Sequence, residues 1–215
     1  MGITPSSLTS LLHVISSQKD LSSPKIALEL GKQDSGIVKS ILITIVNCLS
    51  NSKDVKQPEW ILSKIQDLPE NTILSFSDIL AIWNFKLESL DVSDYEGANI
   101  IANLDKAKSS EYLKHSSKYD LVIDGGTFEH CFNIPNAATF INSLTKIGGI
   151  IFHFNPSNRM VDHGFYQICP TLYYDLYSQG RFDLVYCGLI IAPEVNSPKE
   201  IIRINPYNFD LYTST

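Results

Sequence analysis

Residues 124–131 read Asp-Gly-Gly-Thr-Phe-Glu-His-Cys, a crowding of acids, glycines, an imidazole and a thiol that could serve several chemistries. A histidine titrating near neutrality can take a proton from a hydroxyl or amine, and a neighbouring carboxylate can orient it. Glu129, His130 and His163, the last in Asp-His-Gly-Phe-Tyr-Gln (162–167), are therefore candidates for acid/base work. Glu129 and His130 could equally cap or buttress a helix starting near residue 134. Imidazole and carboxylate also suit divalent cations, and Glu129, His130, His153, Asp162 and His163 are the available donors. No HxxxH or HxH spacing presents two of them on one face, so no metal is expected. His153, flanked by Phe152 and Phe154, points by strand alternation either to a pocket or into a satisfied core. Cys131 lacks a well-placed base, because the side chains of adjacent residues diverge on most backbones. It reads as a small buried residue.

These residues need elements to position them. Thr4-Pro5 followed by Leu8, Leu11, Leu12 and Ile15 predicts an opening amphipathic helix. "PKIALELG" (24–31) reads as a buried strand running into a turn. From 36 to 85 the pattern is helical in three pieces, 36–50, 58–68 and 75–85. Two short apolar runs ending in polar residues, 86–94 and 98–105, are candidate second and third strands, and a weakly helical polar stretch follows at 106–117. "KYDLVID" is the clearest buried strand, with a helix predicted at 134–146. The pair Gly148-Gly149 is expected to end that helix before a strand within 147–156. A helix at 170–180 and strands within 181–193 and 200–206 complete the chain. The last two are joined by a link too short for a parallel crossover, so they must run antiparallel.

Strands alternating with helices predict an α/β domain with a mostly parallel sheet. In such sheets ligands bind beyond the carboxyl ends of the strands. The residues there are Glu29, Gly31, Lys32 and Gln33; Asp91, Val92 and Ser93; Asn103; Asp124, Gly125 and Gly126; and Asn155–Asn158. A carboxylate after the second strand can accept from two ribose hydroxyls with its two oxygens, and Asp91 fits that role.

The stretches "ALELGKQ", "LDVSDYEGANIIANLD", "YDLVIDGGTFEHC", "LTKIGGIIFHFNPSN" and "DHGFYQICPTLYYDLY" together resemble a class I S-adenosylmethionine-dependent methyltransferase. The resemblance spans roughly residues 25 to 192. It implies a Rossmann-like sheet of about seven strands, the last antiparallel, with helices on both faces. Carried over, it puts Glu29 and Gly31 at the methionine end of S-adenosylmethionine and Asp91 at the ribose. Val92 and Asn103 fall near the adenine, and Asp124 with Gly125 beside the amino-acid portion; Lys32, Gln33, Ser93 and Gly126 lie on the same rims.

Two departures stand out. Gln33 and Ser35 occupy the places of the family's second and third glycines, with Gly36 one position late. Glu29 and Asp91 are also separated by far more than the ~20 residues usual in a nucleotide-binding βαβ unit. The helical insertion at 36–85 that accounts for this is expected to form a flap or an oligomer face.

A chain of 215 residues with 44% hydrophobic content suffices for one domain. The net charge of -6 is dispersed and no Lys/Arg block exists, which argues against nucleic acid as a partner. Cys48, Cys131, Cys169 and Cys187 form no paired spacing and read as free thiols. No run approaches a membrane span and no leader is apparent, so a cytoplasmic protein is expected. The expectation is thus a methyltransferase acting on an oxygen or nitrogen of a small molecule, with a sugar or natural-product intermediate in view. Its rivals are a non-catalytic methyltransferase-like scaffold and a nicotinamide oxidoreductase. The latter is ranked low because neither GxGxxG nor Tyr-x-x-x-Lys is present.

Overall fold

The computed structural model describes residues 2–17, 20–33, 35–51, 55, 59–106, 113–177, 182–191 and 200–203. The chain divides into two compact units, Met1–Phe154 and Asn155–Thr215.

The first unit is built on five parallel strands, β1 (Lys25–Leu30), β4 (Phe85–Asp91), β5 (Ile100–Ile101), β6 (Tyr119–Asp124) and β7 (Thr145–His153), in the order β5-β4-β1-β6-β7. β1 is central and carries β4 on one side and β6 on the other, with Ala27 opposite Leu87 and Leu121. A strand buried on both faces needs apolar residues at both parities, which Lys-Ile-Ala-Leu-Glu-Leu supplies except at Glu29 and at the half-buried Lys25 that opens it. Asp120 ties three strands together by accepting from the Ile26 amide at 2.8 Å and from Lys146 Nζ at 2.9 Å.

One face of this sheet is covered by α1 (Pro5–Ser16), α2 (Lys39–Ser50), α3 (Glu59–Gln66) and α4 (Phe76–Ile82), which share one apolar core with Ala27, Leu121 and Ile123. Thr4 starts α1 with a capping box closed by Ser7, and the buried Trp83 indole donates to Ser16 Oγ at 3.1 Å, locking the end of α1 to the end of α4. Between β1 and β4, the two-residue strands β2 (Ile37–Val38) and β3 (Ile73–Leu74) pair antiparallel and fasten the base of the inserted helices. The buried Lys39 donates to the carbonyls of Gln66 and Leu68 at 3.0 and 2.6 Å and to Glu70 Oε1 at 3.0 Å, which satisfies the end of α3 from the start of α2. Leu28, Leu30 and Val122 have the opposite parity, and a separate set of buried residues that includes Phe140 and Ile141 of α5 (Ile134–Leu144) packs that helix against β6 and β7.

The second unit contains α6 (Pro170–Tyr177) and the strands β8 (Gly188–Ile191) and β9 (Glu200–Arg203). β8 and β9 pair antiparallel as their own two-stranded sheet. A seven-stranded sheet with an antiparallel last strand is therefore not what the described residues form: the main sheet has five strands, all parallel. The Gly148-Gly149 pair also behaves differently from expectation. It lies inside β7, where Gly148 takes φ +77 and the register against β6 shifts, because a Cβ on Gly149 would stand 3.0 Å from the Tyr119 carbonyl. Residues 107–112 of the polar stretch and 178–180 of the predicted helix lie outside the described residues. Among the described residues no helix is long and apolar enough to cross a membrane.

Candidate ligand site at the strand ends

The end of β1 turns sharply at Gly31, whose φ of +65 favours glycine. Its amide donates to the Leu90 carbonyl at 2.8 Å, continuing the β1–β4 ladder by one bond. A Cβ there would lie 2.6 Å from Thr127 Oγ1, 3.5 Å from Gln33 Nε2 and 3.9 Å from Asp91 Oδ2, so three loops converge on this glycine. Glu29 is buried and its Oε2 accepts from the Gln33 amide at 3.1 Å, closing the loop. The Gln33 side chain folds back beneath it. Its Nε2 reaches the carbonyls of Leu30 and Gly31, both at 3.2 Å, and its Oε1 lies 3.0 Å from where a Gly125 Cβ would stand. Lys32 is exposed, its Nζ lying 3.7 Å from where a Gly97 Cβ would stand.

At the end of β4, Asp91 Oδ1 accepts from the Ser93 amide at 3.2 Å, and Oδ2 accepts nothing among the described residues. Gly31, Asp91, Asn103, Leu104, Thr127 and His130 bound a cavity of about 190 Å³. Its far wall is stiffened by Asp105, whose two oxygens accept from the amides of Phe132 and Asn133 at 3.0 and 2.9 Å. Asn103 Oδ1 caps the same turn through the Asp105 amide at 2.9 Å, and Val92 is exposed at its mouth. A second cavity of about 700 Å³ lies against Glu29, Lys32 and Gln33, between the inserted segment at 73–78 and β4.

At the end of β6, Asp124 is fully buried and engaged by the fold. Its Oδ1 accepts from the amides of Gly126, Thr127 and Phe128 at 3.4, 2.9 and 3.1 Å, starting the 3₁₀ turn at Phe128–His130, and its Oδ2 meets His153 Nδ1 at 2.8 Å. His153 is thus the satisfied core histidine of its two readings, with the Phe128 ring 5.4 Å away. Gly125 lets the Gln33 amide approach, and Gly126 has φ +113. Glu129 is buried, with Oε1 4.0 Å from His130 Nε2, beyond hydrogen-bonding distance. His130 is exposed beside the Asp91 cavity. Burial first, then the charges of Asp105, Asp124 and Glu129, push the Cys131 thiol up to about 12, which makes it a poor nucleophile. His163 belongs to the second unit, where its amide donates to the Met160 carbonyl at 3.2 Å.

Glu29, Gly31, Gln33, Gly125 and Asp91 therefore lie around one point in the first unit. Two residues that support this group were not apparent as such in the sequence. Thr127 Oγ1 donates to the Leu30 carbonyl at 2.6 Å and joins the β6 loop to β1; a hydroxyl beside a Gly-Gly pair was its only sequence signal. His153 supports Asp124 from the next strand, a pairing that depends on register. Asp91 Oδ2 can accept from a hydroxyl, and the carboxylate of Glu29 is an acceptor of the kind an ammonium seeks.

No protein-family model matches the chain, and no curated protein matches it. Among solved structures, the chain is similar to the crystal structure of the trans-methyltransferase CalH in complex with SAH, at 14% sequence identity and a TM-score of 0.34. The match covers 72% of this chain and 37% of that one, so the chain spans well under half the length of that protein.

Proposed function

We propose that the protein is an S-adenosylmethionine-dependent methyltransferase acting on an oxygen or nitrogen of a small molecule, such as a sugar or a natural-product intermediate. The observation that carries this reading is Asp91, a carboxylate at the end of the strand beside β1 with an oxygen that accepts nothing among the described residues, next to a cavity. The bound donor supplies an electrophilic methyl group. The chain supplies position, and proximity in such reactions is worth orders of magnitude in rate. Asp91 holds the ribose hydroxyls, with Val92, Ser93 and Asn103 around the base. Glu29 and Lys32 meet the amino-acid end, Gln33 borders its entry, and Gly31, Gly125 and Gly126 let backbone approach it. Asp124 acts by setting the β6 loop. His130, His163 and Glu129 are the proposed acid/base groups toward the acceptor. The chain is read as one cytoplasmic functional domain, and the inserted helices as a flap or a face for a second copy.

A non-catalytic scaffold is the second reading, and one observation favours it: the Gln33 side chain stands where the family's second glycine leaves room. Calorimetric titration with S-adenosylhomocysteine separates the two. Saturable binding in the micromolar range supports the enzyme, and no heat up to millimolar ligand would sink it.

A further inference from the structure

The two cavities described above meet the same short loop. Gly31 borders the Asp91 cavity; Glu29, Lys32 and Gln33 border the larger one. The smaller, at about 190 Å³, falls below the roughly 300–1,000 Å³ of most small-molecule sites. It suits part of a nucleoside better than a nucleoside with a long 5′ substituent. Gln33 lines the larger cavity, and its amide rests on the carbonyls of Leu30 and of Gly31, the latter a wall of the smaller. Gln33 is only 9% exposed, and Nε2 is near enough to Gly31 that a single Cβ built there would touch both Gln33 and the Asp91 carboxylate.

What holds Gln33 in this position is modest. Nε2 makes two bonds at 3.2 Å, at the long end of the normal range, and Oε1 is buried with no partner among the described residues. The hold on the side chain is therefore the two carbonyl bonds of Nε2, and these are what a ligand entering beside Gly31 must displace.

We propose that Gln33 is a specificity-determining plug: folded onto the carbonyls of Leu30 and Gly31, it closes the passage between the Asp91 and Glu29 cavities, and a ligand with an amino-acid tail enters only when Gln33 swings out. The closed site takes a nucleoside; the open site takes a nucleoside joined to an amino acid. This rests on reading the strand ends as an adenosyl site.

The test compares 5′-methylthioadenosine, which has no tail, with S-adenosylhomocysteine, which has one, by calorimetry on the wild-type chain and on Gln33→Ala. The wild type should bind the tailed ligand no more tightly than the tailless one, because the tail's contacts are offset by displacing the plug. Gln33→Ala should tighten S-adenosylhomocysteine by roughly 10-fold, the worth of two net hydrogen bonds, and leave 5′-methylthioadenosine unchanged. A wild type that prefers the tailed ligand by 10-fold or more, or a folded Gln33→Ala with unaltered selectivity, overturns the plug while leaving the adenosyl site standing. Failure of both ligands to bind either protein removes the adenosyl reading and the plug with it. The wild-type preference needs no variant, so it decides the matter even if Gln33→Ala does not fold.

Discussion

Among single residues, the contrast between Asp91 and Asp124 separates ligand contact from support. Both are acids at strand ends, and the sequence treats them alike. Asp124 spends both oxygens on three amides and an imidazole, whereas Asp91 spends one. Asp91→Ala should therefore weaken S-adenosylhomocysteine binding by about 1.5–3 kcal/mol, the usual worth of hydrogen bonds to a charged group, with little change in melting temperature. Unchanged affinity in calorimetry would mean that the cavity beside Asp91 is not the nucleoside site. That the ends of β1, β4 and β6 carry the candidate site was legible, because chain polarity and strand order put them together. The division of labour was not, since it depends on which acid finds an imidazole in register on the neighbouring strand.

Among elements, the inserted helices show what patterning conveys and what it does not. The periodicity of 36–50, 58–68 and 75–85 predicts three helices, and α2, α3 and α4 occupy those stretches with trimmed ends. The clasp of β2 on β3 was hidden because two-residue strands leave no period to read. Also hidden was the use of Lys39, which a pattern reading assigns to the polar side. Its ammonium is enclosed by carbonyls at the end of α3, while its ionic partner Glu70 is 89% exposed. Loss of the carbonyl bonds in Lys39→Ala should cost about 1–3 kcal/mol in all, whereas Glu70→Ala should cost about 0–1 kcal/mol, as a largely solvated pair does. Urea denaturation of the two variants measures the difference, and equal effects would show that the ion pair, not the helix end, is what Lys39 serves.

For the chain as a whole, proton binding gives a test that does not depend on the ligand. Burial, then the positive charges of Lys118 and Lys114, hold the His115 imidazole below its ordinary value of 6.5, so the unfolded chain binds that proton more readily. Stability from His115 is present above pH 6.5 and lost as pH falls through the imidazole range. Glu88 and Asp120 add a second loss at lower pH. Partial burial raises each carboxyl, but bonds from Lys118 and Tyr119 to Glu88, and from Ile26 and Lys146 to Asp120, more than offset it and leave both depressed. Their contribution is present above the ordinary carboxylate range and lost in acid. Melting temperature should fall from pH 7 to 5, then again below pH 4, and His115→Gln should flatten only the first step; a curve flat from pH 8 to 5 would refute the assignment. At this scale the parallel α/β character was readable from alternation alone. The extent of the main sheet was not, because a terminal antiparallel pair satisfies its hydrogen bonds internally and its sequence does not say whether it joins a larger sheet.

The central strand has a consequence for how the chain reaches this structure. β1 is completed early in the sequence, yet its partners are residues 85–91 and 119–124, and none of its ladder bonds can form with a strand nearby in the chain. Loop-closure entropy must be met before β1 gains either neighbour. Refolding should therefore be governed by long-range search, and the loop carrying Gly31 and Gln33 acquires its shape only once both flanking strands have arrived.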